Sequence, residues 1–346
     1  MVHVSLRNFC SITPKFRKSF KLPNNNVLRW FPGHMNRGLK DMENKLRNVD
    51  CIIEVHDARI PLSGRNPNFK NTVCGIKPHV LILNKTDLID NKKLQDIEKV
   101  VKKEGGTNDV IFTNCRDAKC RGVQKVLPTV MQLIRNSTRY NRAEVNEFSL
   151  MVIGVPNVGK STFLNHIRKS NIKKGGGAPT GAKAGITRSV SNRIKVSTDP
   201  LVYVFDTPGI WTPNIPDIET GMKLALCETT QDHLVQFLNM ADYLLYWLNK
   251  NKQFGYLQTF DLDEPSDNIR LVLTKLAVTF KFYSKLRSFE DGKYRMVPNL
   301  EMAARYFVQS FRNGHLGKII LDSDKLFPNE TKPEVTIDSS LSHVVN

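Results

Sequence analysis

The octapeptide Gly154-Val155-Pro156-Asn157-Val158-Gly159-Lys160-Ser161 constrains this chain more than any other segment. It fits the pattern GxxxxGK[ST], follows the apolar run Phe148–Ile153 and precedes a helical pattern over Thr162–Arg168. A strand, a glycine-rich turn and a helix in that order form a phosphate cradle. The glycines let backbone N–H groups curl around the α/β-phosphates at a helix N-terminus. Lys160 is then placed to reach the β/γ-phosphates and Ser161 to hold Mg²⁺. Asn157, Val158, Gly159 and Thr162 complete the candidate loop. The bland alternative is a glycine-rich turn ahead of an ordinary helix.

Other short runs rich in Val, Ile or Leu, at Val49–Val55, His79–Leu83 and Leu201–Phe205, end at turn residues and predict buried parallel strands. Asn91–Glu104 reads as a helix between two of them. This alternation predicts an α/β fold, a P-loop type doubly wound sheet that binds ligands at the carboxyl ends of its strands. After about Pro213 the strand pattern stops. Helical spacing over Ile218–Leu248, Asn268–Leu286 and Leu300–Asn313 predicts a small α-helical domain, consistent with a length of 346 residues. The expected organisation is a 1–27 leader, a 28–213 nucleotide domain, a 214–327 helical domain and a 328–346 polar tail.

Two more tetrapeptides carry chemistry. Asp206-Thr207-Pro208-Gly209 follows the run Leu201–Phe205, where Asp206 can join the Mg²⁺ shell and the Gly209 N–H can approach a γ-phosphate. Thr187, between the P-loop and this turn, is placed as a switch threonine on Mg²⁺ and γ-phosphate; otherwise it is a plain loop threonine. Asn84-Lys85-Thr86-Asp87 follows His79–Leu83. The Asp87 carboxylate can accept both N1–H and N2–H₂ of guanine, a donor pair that adenine lacks. Asn84 would pin neighbouring loops. Thr113-Asn114-Cys115 is placed to bring a backbone N–H to guanine O6, with Asn114 and Cys115 as the candidate contacts; a strand-end loop is the alternative.

The order of these motifs matters. Guanine selection at 84–87 and 113–115 precedes the phosphate motifs at 154–161, 187 and 206–209, whereas ordinary GTPases place the P-loop first. Loops need only meet at the same strand ends, so a permuted order changes connectivity more than chemistry. It also runs the chain from DTPG directly into the helical region, a route from nucleotide state to partner affinity.

Charge adds a partner class. The formal net charge is +18 and the pI about 9.6, which favours nucleic acid or an anionic surface. Residues 1–40 hold eight Lys/Arg and no acid. Their amphipathic spacing (Val2, Leu6, Phe9, Ile12, Phe16, Phe20) has the composition of a mitochondrial transit segment cleaved before Val27; a basic arm that touches nucleic acid is the alternative. Residues 168–195 hold eight more and no acid, and read as a switch loop between the phosphate motifs. No uncharged apolar run approaches ~18 residues, which argues against a membrane span. Six cysteines without a CxxC argue against a zinc framework.

The motif order, together with Trp30-Phe31-Pro32-Gly33-His34-Met35, Asp57-Ala58-Arg59-Ile60-Pro61-Leu62-Ser63-Gly64-Arg65-Asn66-Pro67 and Phe311-Arg312-Asn313-Gly314-His315-Leu316-Gly317-Lys318, resembles the circularly permuted YlqF-type ribosome-assembly GTPases over about Leu28–Asp322. The resemblance implies binding of GTP and GDP, Mg²⁺, and GTP hydrolysis stimulated by the large ribosomal subunit, with contacts to rRNA and ribosomal proteins. It implies catalysis by His34, where Ile210 stands in place of a water-orienting Gln, and a K⁺-binding role for Asn157. Combined with the leader, it implies a monomeric protein of the mitochondrial matrix acting on the mitochondrial large subunit. Whether that protein also sits on the matrix face of the inner membrane is left open. His56 reads as a strand-end packing residue rather than a catalytic one.

Overall fold

The computed structural model describes residues 16–22, 46–65, 77–105, 109–139, 142–172, 193–206, 215, 217–230, 232–287 and 292–328. His34, Thr187 and Gly209 lie outside these, as does the side chain of Asp206.

Six strands form one sheet in the order β3-β2-β1-β4-β6-β5. They are β1 (Cys51–Asp57), β2 (His79–Asn84), β3 (Val110–Phe112), β4 (Phe148–Ile153), β5 (Arg193–Thr198) and β6 (Leu201–Asp206). All neighbours are parallel except β5, which runs antiparallel to β6 at the edge. Every residue of β1 and β2 is buried, as a central strand covered on both faces requires. Cys51, Ile53, Val55, Val80, Ile82, Leu150 and Val152 face one core. There they meet the helices α2 (Arg121–Arg135) and α3 (Lys160–Asn171). Alternate residues face the other side, where Leu81 and Leu83 pack on Ile97 and Val101 of α1 (Leu94–Gly105) and on Ile320 and Leu326.

Beyond the sheet come α4 (Ile218–Leu226), α5 (Asp232–Val235), α6 (Phe237–Lys250), α7 (Gly255–Phe260) and α8 (Ile269–Thr279). A hairpin, β7 (Tyr283–Arg287) and β8 (Tyr294–Pro298), leads to α9 (Leu300–Arg312) and α10 (Ser323–Leu326). The same continuous cluster of buried side chains that contains the first face of the sheet contains Tyr243, Leu244, Trp247, Phe307 and Leu321.

Three expectations change. The helix read over Ile218–Leu248 is three helices, because Glu228 (φ 62°) and Gln236 (φ 67°) turn the chain. The helix read over Asn268–Leu286 stops at Thr279, and the left-handed Lys281 (φ 57°) sends the chain into β7. The basic stretch read as a loop to Lys195 enters β5 at Arg193.

The leader reaches into the fold. Phe20 is buried between Tyr243 and Tyr246, with ring centroids 5.1 and 5.8 Å away. Arg17 bridges Asp242 (2.8 Å) and Asp267 (3.0 Å). Residues 16–22 are therefore a packed strap on α6. Among the described residues no helix is long and apolar enough to cross a membrane.

Candidate nucleotide site

The parallel register brings the carboxyl ends of β1, β2, β3 and β4 to one edge: Asp57 pairs with Asn84, Leu83 with Phe112, and Glu54 with Ile153. The turns that follow each strand enclose an open cleft of about 350 Å³, within the usual range for small-molecule sites. Asn84, Lys85, Asp87, Asn114, Cys115, Asn157, Gly159, Lys160, Ser161 and Thr162 all line it. Segments read separately from the sequence thus meet at one place.

Asn84 holds them together. Its Nδ2 donates to the Val158 carbonyl of the P-loop (2.8 Å). Its Oδ1 accepts from the Thr113 hydroxyl (3.1 Å) and the Cys115 N–H (3.0 Å). One buried side chain spans three loops. The approach is close enough that Gly159, at φ 100°, admits no side chain: a Cβ there would lie 2.4 Å from Asn84 Nδ2. Thr86 closes the same junction, its N–H and hydroxyl both donating to the Thr113 carbonyl.

In the P-loop, Gly159 caps α3 and Lys160 opens it. The Lys160 ammonium lies inside the loop, donating to the carbonyls of Gly154 (3.1 Å) and Val155 (2.9 Å). Ser161 and Thr162 are exposed at the helix N-terminus, facing the cleft. Asn157 (φ 57°) donates through Nδ2 to the Glu228 carbonyl at 2.8 Å. The N–H groups of Thr113, Asn114 and Cys115 already have partners in Leu83 O, Cys120 Sγ and Asn84 Oδ1. That loop meets the cleft through Asn114 and Cys115, and burial pushes the Cys115 thiol up to about 11.

The loop 84–88, the candidate guanine loop, rests on a buried ionic floor that sequence motifs did not resolve. Asp57 receives two bonds from the Arg59 guanidinium (3.0 and 2.8 Å) and lies 3.0 Å from Lys85 Nζ. Burial opposes the charge on Asp57, but Arg59 and Lys85 outweigh it and hold the carboxyl well below the usual range. Next to it Glu54 is buried with His56 (2.7 Å), His79 (3.0 Å) and Arg65 (2.9 Å). Burial again opposes ionisation, and these cationic and hydrogen-bonding partners keep the Glu54 carboxyl well below its ordinary value. His56 is thus packed at 1% exposure, as expected, with a carboxylate as its partner.

The rest of the wall draws in part on the chain's other end. Arg59, Leu88, Arg116, Glu228, Gln309, Arg312 and Asn313 also line the cleft, none of them assigned to it from sequence. The segment 314–319 braces the guanine loop directly. Lys318 Nζ donates to the Asp87 carbonyl, Ile319 N–H to Leu88 O (3.2 Å), and Gly314 (φ 82°) leaves room for Leu88. Arg312 is clamped by Asp232 (2.6 Å) and by the carbonyls of Ala225 and Leu226. The DARIP motif connects to the same end: Leu321 N–H donates to Arg59 O, and buried Asp322 accepts from Ser63 Oγ (2.6 Å) and lies 3.3 Å from Lys223. The signal for these contacts was the Phe311–Lys318 motif itself, which could not show what it touched.

A P-loop pinned by the asparagine of an NKTD that precedes it in the chain defines a circularly permuted P-loop GTPase. A family model described as a 50S ribosome-binding GTPase matches residues 149–275. Mitochondrial GTPase 1 of Aedes aegypti is 49% identical over 312 residues, covering 90% of this chain and 98% of that protein. Mitochondrial ribosome-associated GTPase 1 of Bos taurus is 47% identical over 328 residues, covering 94% and 98%. The crystal structure of GNP-bound YlqF from T. maritima has the same fold, with a TM-score of 0.50 at 22% identity over 83% of this chain and 96% of that one. The chain belongs to the mitochondrial GTPase 1 family, a mitochondrial branch of the permuted YlqF-type GTPases. It is a mitochondrial, Mg²⁺-using GTPase.

Proposed function

We propose that this GTPase is a nucleotide-dependent assembly factor of the mitochondrial large ribosomal subunit, contacts its rRNA and ribosomal proteins, and thereby supports mitochondrial translation. The carrying observation is the Asn84 junction, which ties the P-loop to both guanine loops and, through Asp87 and Leu88, to the C-terminal brace. A nucleotide held at base and phosphates would bias all of these segments together. The similarity to a mitochondrial ribosome-associated GTPase supports the partner.

Asn84, Lys85, Thr86 and Asp87 form the base-selecting side. Asn157, Val158, Gly159, Lys160, Ser161 and Thr162 form the phosphate side. The donors suit Mg²⁺, a hard cation that takes oxygen ligands: the Ser161 hydroxyl is exposed at the cleft, and Asp206 ends β6 in register with Val152 of β4, beside the P-loop. In this reading Thr187 and Gly209 complete the γ-phosphate sensor. Bound Mg²⁺ would neutralise charge developing on the β- and γ-phosphate oxygens. Asn157 turns its amide nitrogen to Glu228, which leaves its Oδ1 as a donor suited to K⁺. His34 is proposed to act on the attacking water, since Ile210 cannot. The protein works as a monomer in the matrix, with peripheral contact to the inner membrane as part of the proposal. The import signal is assigned to residues upstream of Phe16, because the strap 16–22 belongs to the folded core.

Turnover of GTP by the purified protein, with and without purified mitochondrial large subunits and in K⁺ or Na⁺ buffer, tests the reading. We expect a slow rate alone and a marked rise with subunits in K⁺. A rate indifferent to subunits removes the assembly role. In the same assay Asp87→Asn should move preference from GTP towards xanthosine triphosphate; unchanged GTP affinity removes Asp87 from base selection.

A further inference from the structure

Among the described residues the β7–β8 hairpin stands apart because most of both its faces is exposed. Tyr283 (38% exposed), Leu286 (57%), Tyr294 (71%) and Met296 (59%) are half of the eight exposed large hydrophobic residues among the described residues. They sit on ten residues of strand. An isolated two-stranded sheet is marginal in water, and apolar side chains gathered this way mark a contact surface.

Its base is rigid. Phe282 N–H donates to Ala277 O (2.7 Å), Asn299 N–H to Phe282 O (2.9 Å) and Asn299 Nδ2 to Ser284 Oγ (2.7 Å). The rings of Phe280, Phe282 and Tyr306 pack together at 4.8–6.0 Å. The blade beyond them is held in place although it covers nothing.

The chemistry of the blade is mixed. Cross-strand pairs place Tyr283 opposite Pro298, Lys285 opposite Met296 and Arg287 opposite Tyr294 on one face. Leu286 faces Arg295 on the other. Aromatic, aliphatic and cationic side chains are interspersed on the first face, and Leu286 and Val297 lie beside Arg295 and Ser284 on the second. A membrane-binding element segregates its apolar side from its basic side, and an apolar protein groove would desolvate Lys285 and Arg287 without compensation. Single-stranded RNA satisfies both kinds of group, with bases stacking on exposed tyrosines and phosphates neutralising the cations between them.

We infer that the β7–β8 hairpin is an RNA-contacting blade, in which Tyr283 and Tyr294 stack on unpaired bases and Lys285 and Arg287 bind the phosphates between. The inference rests on the ribosomal reading above and names the element that makes the rRNA contact.

The test uses the full chain with GTP. A fluorescently labelled 20-nucleotide single-stranded RNA of mixed sequence is followed by anisotropy, and large subunits by co-sedimentation. Vesicles of phosphatidylcholine and cardiolipin form a third arm. The double variants Tyr283→Ala/Tyr294→Ala and Lys285→Glu/Arg287→Glu should each weaken RNA binding about tenfold or more. They should retain wild-type GTP affinity and thermal midpoint. The charge variant should also flatten the dependence of affinity on salt, while the tyrosine variant keeps the wild-type slope. RNA affinity unchanged in both variants overturns the proposal. So does a loss confined to vesicles, or a loss of subunit binding with RNA binding intact, which would make the blade a membrane or protein contact. A wild-type protein that binds the RNA probe but not subunits sinks the ribosomal reading and leaves the blade's chemistry standing.

Discussion

The guanine loop and the β7–β8 hairpin are both rich in cations, and the fold treats them in opposite ways. Around the guanine loop the charges turn inward: Arg59 and Lys85 onto Asp57, Lys223 onto Asp322 and Asp324, Arg312 onto Asp232. On the hairpin Lys285, Arg287 and Arg295 stand among exposed apolar side chains. Inward charges are costly to desolvate and strict in geometry, so they fix the shape of the loop that carries Asn84 to Asp87. The hairpin cations are exposed to solvent, Arg287 with a bond to the Gly292 carbonyl (3.2 Å), and they are placed where a partner can reach them. The inward cations are matched by carboxylates and add nothing to the net charge of +18, so that excess belongs to cations elsewhere in the chain.

The comparison breaks first at Asp57. Asp57→Asn leaves Arg59 buried without its counter-charge, and urea denaturation at pH 7 should show a loss of about 3–5 kcal/mol. Because the Asp57 carboxyl is held below its ordinary range, its contribution is complete above the unfolded pKa of about 4. It is lost as pH falls through the lower folded value. The gap between wild type and variant should therefore narrow in acid. A variant as stable as wild type at pH 7 would mean the ionic floor does not hold the loop.

A smaller effect is expected at the brace. Lys318→Ala removes one bond to the Asp87 carbonyl, worth about 1 kcal/mol. Titration with a fluorescent guanine nucleotide should show affinity down several-fold and the fold intact. Equal affinity would leave the C-terminal segment without a role in base recognition. The smallest effect belongs to the hairpin: Lys285→Glu/Arg287→Glu should shift unfolding free energy by no more than about 0.5 kcal/mol. A larger loss would show that its charges are structural after all.

Much of this site was legible in one dimension. The P-loop, NKTD and the strands before them are contiguous, and a strand covered on both faces announces itself as an apolar run, as in His79–Leu83. β7 reads from sequence as the end of the Asn268–Leu286 helix, and β8 gives no signal at all, because hydrophobic periodicity reports which side of an element is covered, and most of both strands is exposed. Strand β5 is not legible for a related reason: its exposure alternates irregularly at a sheet edge, and it opens inside a basic stretch. The leader had the composition of an address, yet Phe16 to Leu22 also had the ring and guanidinium that α6 required.

Amino-acid order alone determined the nucleotide chemistry, the permuted arrangement and the family, because each depends on residues adjacent in the chain. Tertiary structure decided what the remaining motifs are for. Ser63 meets Asp322, and Lys318 meets Asp87, across more than two hundred residues. No local propensity encodes such a meeting. It follows from parallel strands that end at one edge and from the burial of α6 and α9, which carries the chain's far end back to the loop after β2.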